Sequence, residues 1–167
     1  MNYAYLLTGG NLGERKQNLR QARQQISLSC GKLVAESSIY ETAAWGKRDQ
    51  PRFLNQALKL ETTLLPELLL KELLHIEDQI GRVRKEKFGP RLIDIDILFY
   101  EGGESVIMDS PHLKLPHPEV QNRRFALTPL NEIAPTLVHP VLEKNISQLL
   151  EQCPDDLEVF LLLSSAE

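Results

Sequence analysis

The chain has 167 residues and a net charge of -4, with 25% charged and 42% hydrophobic residues, which fits a single soluble domain over 1–167 with a real core. The acidic balance argues against general nucleic-acid binding, no apolar run is long enough to span a membrane, and the start at Met1–Gly10 lacks a basic leader. Cys30 and Cys153 stand far apart without metal-ligand spacing and read as reduced thiols of a cytoplasmic protein.

Tyr3 to Leu7 is expected to form a short apolar strand running into a glycine-rich turn, Thr8-Gly9-Gly10-Asn11-Leu12-Gly13. The turn matches neither of the standard phosphate-loop spacings. Asn11 with Glu14 three residues on fits a capping box; Leu19, Ala22 and Ile26 then follow at helical spacing, and Gly31 ends the helix. Residues 33–40 read as a second strand and 41–51 as a loop carrying Trp45 and Gly46. Residues 53–62 alternate, with Leu54, Leu58 and Leu60 on one face and Phe53, Asn55 and Ala57 on the other. Pro66 opens a helix to about Ile80, with Leu69, Leu73, Ile76 and Ile80 as its buried stripe and Gly81 as its stop.

The stretch 93–99 alternates again: Ile93, Ile95, Ile97 and Phe99 on one face, Asp94 and Asp96 on the other. Residues two apart on a strand are separated by roughly 6.5–7 Å between Cα atoms. Two carboxylates pointing the same way at that spacing repel each other unless a cation lies between them. Oxygen-only ligands suit a hard ion such as Mg²⁺, which takes one or two carboxylates together with substrate phosphates. Alone, the pair also fits a solvated acidic face. Its neighbours favour the metal: Arg82, Arg84, Lys85, Lys87 and Arg91 crowd residues 82–91 of an otherwise acidic chain, and Gly89-Pro90 would turn Arg91 towards the strand. Metal plus arginines make a polyphosphate site.

Beyond it, 101–117 is expected to be loop-like with a short strand at Val106-Ile107-Met108, and Pro118 to Ile133 helical but interrupted by Pro129. Asn145 should cap a short helix to Glu151, and Val159 to Leu163 reads as a last strand. The order β-α-β-β-α-β with C-terminal additions predicts an α+β fold, a ferredoxin-like antiparallel sheet with packed helices in α/β/α layers. Phe53 and Asn55 share a face, so a ring beside an amide could stack on and pair with a flat heteroaromatic ligand; Phe125 is a candidate for the other side of that slot.

These residues together resemble the 6-hydroxymethyl-7,8-dihydropterin pyrophosphokinase family. The resemblance rests first on Phe-Gly-Pro-Arg-x-x-Asp-Ile-Asp-Ile-Leu at 88–98. It is supported by Gly-Gly-Asn-Leu-Gly at 9–13, Tyr-Glu-Thr at 40–42, Gln-Pro-Arg-Phe-Leu-Asn at 50–55, Glu-x-x-x-Gly-Arg-Val-Arg at 77–84, and Pro-His-Pro with Asn-Arg-Arg-Phe within 116–125. It extends over about residues 1–140 and implies the same ferredoxin-like fold. It implies transfer of a diphosphate from ATP to the hydroxymethyl oxygen of the pterin, releasing AMP, in folate biosynthesis. Asp94 and Asp96 would hold two Mg²⁺ ions, and Arg82 and Arg91 would contact the transferred diphosphate. Glu77, Arg84, Ile97, His117 and Arg123 would line the ATP site with those two arginines. Thr42, Ala43 and Trp45 would meet the pterin largely through their backbone, Asn55 would pair with its edge, and Phe53 and Phe125 would sandwich its ring. His112, Pro118, Leu74 and Phe88 depart from residues common in the family. Small-molecule substrates, no nucleic acid, no membrane and a monomer are the expected partners and state. Two other readings remain: a metal-dependent nucleotidyl- or glycosyltransferase using Asp-x-Asp, and a non-catalytic RNA-binding module of the same fold.

Overall fold

The computed structural model describes residues 1–43, 51–81 and 92–162. The elements run β1 Asn2–Gly10, α1 Arg15–Ser29, β2 Lys32–Glu36, β3 Tyr40–Thr42, β4 Phe53–Thr62, α2 Pro66–Ile80, β5 Asp94–Gly102, β6 Glu104–Ser105, β7 Met108–Asp109, β8 Lys114–Leu115, α3 Arg124–Ile133, α4 Ile146–Glu151 and β9 Val159–Leu161. The main sheet is antiparallel, in the order β6-β5-β1-β4-β3-β9, with β2 also paired to β4. No helix among the described residues is long and apolar enough to cross a membrane.

Alternation divides the sheet into two apolar faces, because successive strand residues point to opposite sides. One face sends Ala4, Leu6, Leu54, Leu58, Leu60, Ile95 and Ile97 against Leu19, Ala22 and Ile26 of α1 and Leu69, Leu73 and Ile76 of α2. The other packs Tyr5, Leu7, Ala57, Leu98 and Phe99 against Ala126, Leu127 and Leu130 of α3 and Ile146 and Leu149 of α4. Helices on both sides thus give a mixed α and β protein with three layers. β4 and α2 have the bounds that periodicity, Pro66 and Gly81 predict; Gly81 closes α2 in the left-handed region at φ 109°. Ile80 is only partly buried, and Glu77 takes its place among the buried positions of α2.

Several expectations from the sequence are corrected. The glycine-rich stretch is not wholly a turn, since β1 continues through Thr8, Gly9 and Gly10, paired to β4 on one side and partly to β5 on the other. Asn11 makes no capping box: the α1 N-cap is Glu14 with no side-chain cap, and Asn11 donates its Nδ2 to the Pro51 carbonyl at 3.0 Å. That tertiary bond ties the end of β1 to the entry of β4. The strand expected over 33–40 is two, β2 and β3, and the expected loop at 41–51 begins as part of β3. At 106–108 only Met108 is in a strand, which pairs with β8. The helix expected from Pro118 is a 3-10 turn at Val120–Asn122, then an extended Arg123, then α3. Pro129 lies inside α3 without interrupting it; the lost amide bond is outweighed by burial of Ala126, Leu127 and Leu130. The last strand has Val159–Leu161 as its bounds, with Leu163 outside the described residues.

The largest correction concerns β5. Its register against β1 shifts, Phe99 facing Tyr5 while Ile97 faces Leu6, so Leu98 is the extra residue of a bulge. Strict alternation would put Phe99 with the isoleucines. The bulge turns it to the α3 face beside Leu98, where its ring meets His139 edge-on at 5.6 Å between centroids.

Candidate active site

Asp94 and Asp96 lie on the face that carries Leu98 and Phe99, opposite Gly9 and Leu7 of β1. Gly9 in turn faces Asn55 of β4, and Asn55 faces Tyr40 of β3. One cross-strand row therefore reads Asp94, Gly9, Asn55, Tyr40. Neighbouring strands are ~4.8 Å apart, which sets the Asp94 and Asn55 backbones roughly 10 Å apart. Both aspartates are half-buried, and Asn55 is buried. Phe53 is half-buried one step along the Asn55 face, and its strand partner is the buried Thr42, followed by the exposed Ala43.

The outer edge of β5 is held by two residues of the expected ATP site. Among the described residues β5 pairs on that side only at Glu101 and Gly102, with β6. The amide of Ile95, between the two aspartates, instead donates to Oε2 of Glu77 at 2.7 Å. Glu77 is only 3% exposed. A buried carboxylate bonded to that amide fixes the strand from which both aspartates project. Three residues on, the His117 amide donates to the Leu98 carbonyl at 2.9 Å. The Ile97 side chain is buried in the α1/α2 core, so any approach to this residue is to its main chain.

His117 is held neutral. Burial, and then the positive Arg123, push its pKa from the ordinary 6.5 down to about 4, against a smaller opposing effect of Glu119. Its Nδ1 accepts the Glu119 amide at 3.1 Å, which leaves the proton on Nε2. Arg123 has its guanidinium carbon 5.7 Å from the centroid of Phe125, which packs on the α3/α4 core. Its neighbour Arg124 points elsewhere, donating to the main-chain carbonyls of Asp155 at 2.8 Å and Cys153 at 3.3 Å.

The structure thus brings Asp94, Asp96, Asn55, Phe53 and Thr42 onto contiguous strands, attaches Glu77 and His117 to the β5 edge, and places Arg123 with Phe125 at the start of α3. Trp45, Arg82, Arg84 and Arg91, and with them the basic run at 82–91, lie outside the described residues. Two placements were not legible in the sequence. Gly9 sits between the aspartate and the asparagine; its signal is a glycine within a strand, hidden by reading 8–13 as a turn. For the segment 153–161, where a last strand is expected, the sequence does not show the partners: it receives Arg124, and its strand β9 pairs with β3, bringing Arg52 over Phe160 at 5.7 Å.

Residues 5–135 match the model of the 7,8-dihydro-6-hydroxymethylpterin-pyrophosphokinase family. The chain belongs to this family. It is an ATP-dependent pyrophosphokinase of folate biosynthesis, and the nucleotidyl- or glycosyltransferase and RNA-binding alternatives are not favoured. The chain is 45% identical over 139 residues to 2-amino-4-hydroxy-6-hydroxymethyldihydropteridine pyrophosphokinase of Methylorubrum extorquens, covering 83% of this chain and 86% of that one. The enzyme of the same name from Haemophilus influenzae is 42% identical over 153 residues, covering 91% of this chain and 93% of that one. The folic acid synthesis protein fol1 of Pneumocystis carinii is 41% identical over 90% of this chain, which spans only 20% of that protein. Crystal structures of Plasmodium falciparum HPPK-DHPS share the fold at a TM-score of 0.71 and 18% identity, over 91% of this chain and 43% of that one.

Proposed function

We propose that the chain transfers the β,γ-diphosphate of ATP to the hydroxymethyl oxygen of 6-hydroxymethyl-7,8-dihydropterin across the row Asp94, Gly9, Asn55. The new bond forms from that oxygen to the β-phosphorus while its hydroxyl proton passes to solvent; the bond from the β-phosphorus to the α,β-bridging oxygen breaks, and AMP leaves. The carrying observation is the row itself: a carboxylate pair and a buried amide on one sheet face, separated by a single glycine strand. Two strand spacings, roughly 10 Å, leave room for an acceptor ring at one end and a polyphosphate at the other.

The Asp94 and Asp96 donor set is all oxygen, from half-buried carboxylates that face one way, which fits a hard cation. Among the described residues no cluster of three or more acidic, histidine or cysteine side chains could complete a metal cage, so phosphate oxygens and water fit as the remaining ligands. Asp94 and Asp96 hold two Mg²⁺ ions in this reading, and bound metal supplies charge neutralisation and alignment of the phosphates. Glu77 keeps the β5 edge in place and lines the nucleotide site with the Ile97 main chain. Neutral His117 offers Nε2–H without adding charge, and Arg123 offers a cation. Arg82, Arg84 and Arg91 are assigned to the phosphates, with Arg82 and Arg91 on the transferred group. Asn55 pairs with the pterin edge, Phe53 and Phe125 enclose its ring, and Thr42, Ala43 and Trp45 meet it through their backbone.

The strand order β5-β1-β4 with β2 and β3 beyond, and helices after β1 and β4, supports a ferredoxin-like assignment with additions at both sheet edges. A cytoplasmic monomer acting on small molecules, without nucleic acid or membrane, completes the reading. Incubation with ATP, Mg²⁺ and the hydroxymethyl dihydropterin is the test. AMP and the pterin diphosphate are expected in equal amounts; ADP or free pyrophosphate as the main product would overturn it.

A further inference from the structure

Gly9 is a glycine where no turn requires one. It lies in the extended β1, paired to Asp94 on one side and Asn55 on the other. The reason for glycine is what stands above it. A Cβ built on Gly9 would collide with Oδ1 of Asn55 and lie 3.3 Å from its Cγ; the closest main-chain atom, the Leu54 carbonyl oxygen, would be 3.1 Å away. The Asn55 carboxamide therefore leans across β1, over the Gly9 main chain and towards the strand of Asp94 and Asp96. It does not lean the other way, towards Tyr40 of β3.

We propose that Gly9 is a positioning residue for the acceptor substrate: by lacking a side chain, it lets the Asn55 amide lie across β1 and aim the acceptor at the Asp94–Asp96 pair. This rests on Asn55 being the pterin partner. An alanine displaces the Asn55 amide before it displaces the backbone, because the first atom it meets is the end of a side chain. Loss of acceptor binding is thereby separable from loss of fold.

The test compares Gly9→Ala, Asn55→Ala and the double variant. The readout is the Kd of 6-hydroxymethylpterin in the presence of Mg²⁺ and a non-hydrolysable ATP analogue, with the Kd of the analogue as control. Gly9→Ala is expected to weaken pterin binding at least 30-fold, on the order of one lost paired amide contact. The Kd of the analogue should move less than about twofold, and Gly9→Ala should have no further effect in the Asn55→Ala background. A general structural defect would weaken both ligands and add to Asn55→Ala. Equal losses from Gly9→Ala with and without Asn55, or no loss, overturn the proposal while leaving Asn55 as the pterin partner. No effect of Asn55→Ala itself overturns the assignment of Asn55 and the proposal with it. Should Gly9→Ala fail to fold, recovery of folding in the double variant supports the collision with Asn55; failure of both assigns the constraint to the Leu54 main chain and overturns the proposal.

Discussion

The two faces of the sheet use the same alternation for different ends. The α1/α2 face is mainly apolar packing around Leu60, Leu6 and Ile95, with the buried Thr8 and Gln56 hydrogen-bonded within it. The α3/α4 face is divided: Tyr5, Leu7, Ala57 and Phe99 are packed by helices, while Gly9, Asn55, Asp94 and Asp96 form the row to which we assign the chemistry. Stability should therefore belong mainly to the first face and turnover to the free end of the second. An active site built on a strand rather than a loop inherits its precision from the packing beneath it.

The sharpest way to break this division is to substitute one residue on each face. Asp96→Ala should reduce kcat at saturating Mg²⁺ by at least about a thousandfold, about 4 kcal/mol of barrier. The urea midpoint should stay unchanged or rise slightly, since like-charge repulsion in the apo protein is relieved. A near-normal kcat would remove Asp96 from the metal site. Leu60→Ala, at a fully buried position, should do the reverse. It should lower unfolding free energy by about 2–5 kcal/mol while the KM values of the folded fraction change little. A large rise in either KM would show that the two faces are not independent.

The adjacent arginines sharpen the comparison within the second face. Arg124→Ala removes bonds to Cys153 and Asp155 and should destabilise by about 1–3 kcal/mol, read by urea unfolding. Arg123→Ala should instead raise the KM for ATP with a smaller change in stability. Exchange of those two outcomes would reverse the roles given to them.

The smallest effect concerns His117. Its folded pKa, about 4, lies below the ordinary 6.5. The unfolded chain therefore binds the proton first as pH falls. The neutral ring's contribution is fully present above 6.5 and is lost as pH falls from there to about 4. Partial exposure limits it to on the order of 1–2 kcal/mol. Urea midpoints at pH 7.5 and pH 5 should fall further for the native chain than for His117→Gln; parallel changes would dismiss the buried neutral histidine.

What the sequence by itself determined is what depends on neighbours along the chain. β4 and α2 have the predicted bounds, because an alternating run and a Pro-to-Gly helical run are local patterns. Asn145 caps α4 with Gln148 in a capping box, for the same reason. Asp94 and Asp96 share a face because two residues make one strand period. Tertiary structure decided everything set by the partner strand or helix. The bulge at Leu98 turned Phe99 to the opposite core, and no local periodicity encodes a register shift between β1 and β5. Asn11 forsook a local cap for Pro51, which is distant in sequence. Arg123 and Arg124 look alike in the chain, and the packing of the 153–155 segment against α3 makes Arg124 an anchor, which leaves Arg123 as the one we assign to the site. Gly9 looks like one glycine of a turn until β4 and β5 pair on either side of it. Its meaning is the space that Asn55 occupies, and that space exists only when three strands distant in sequence lie side by side.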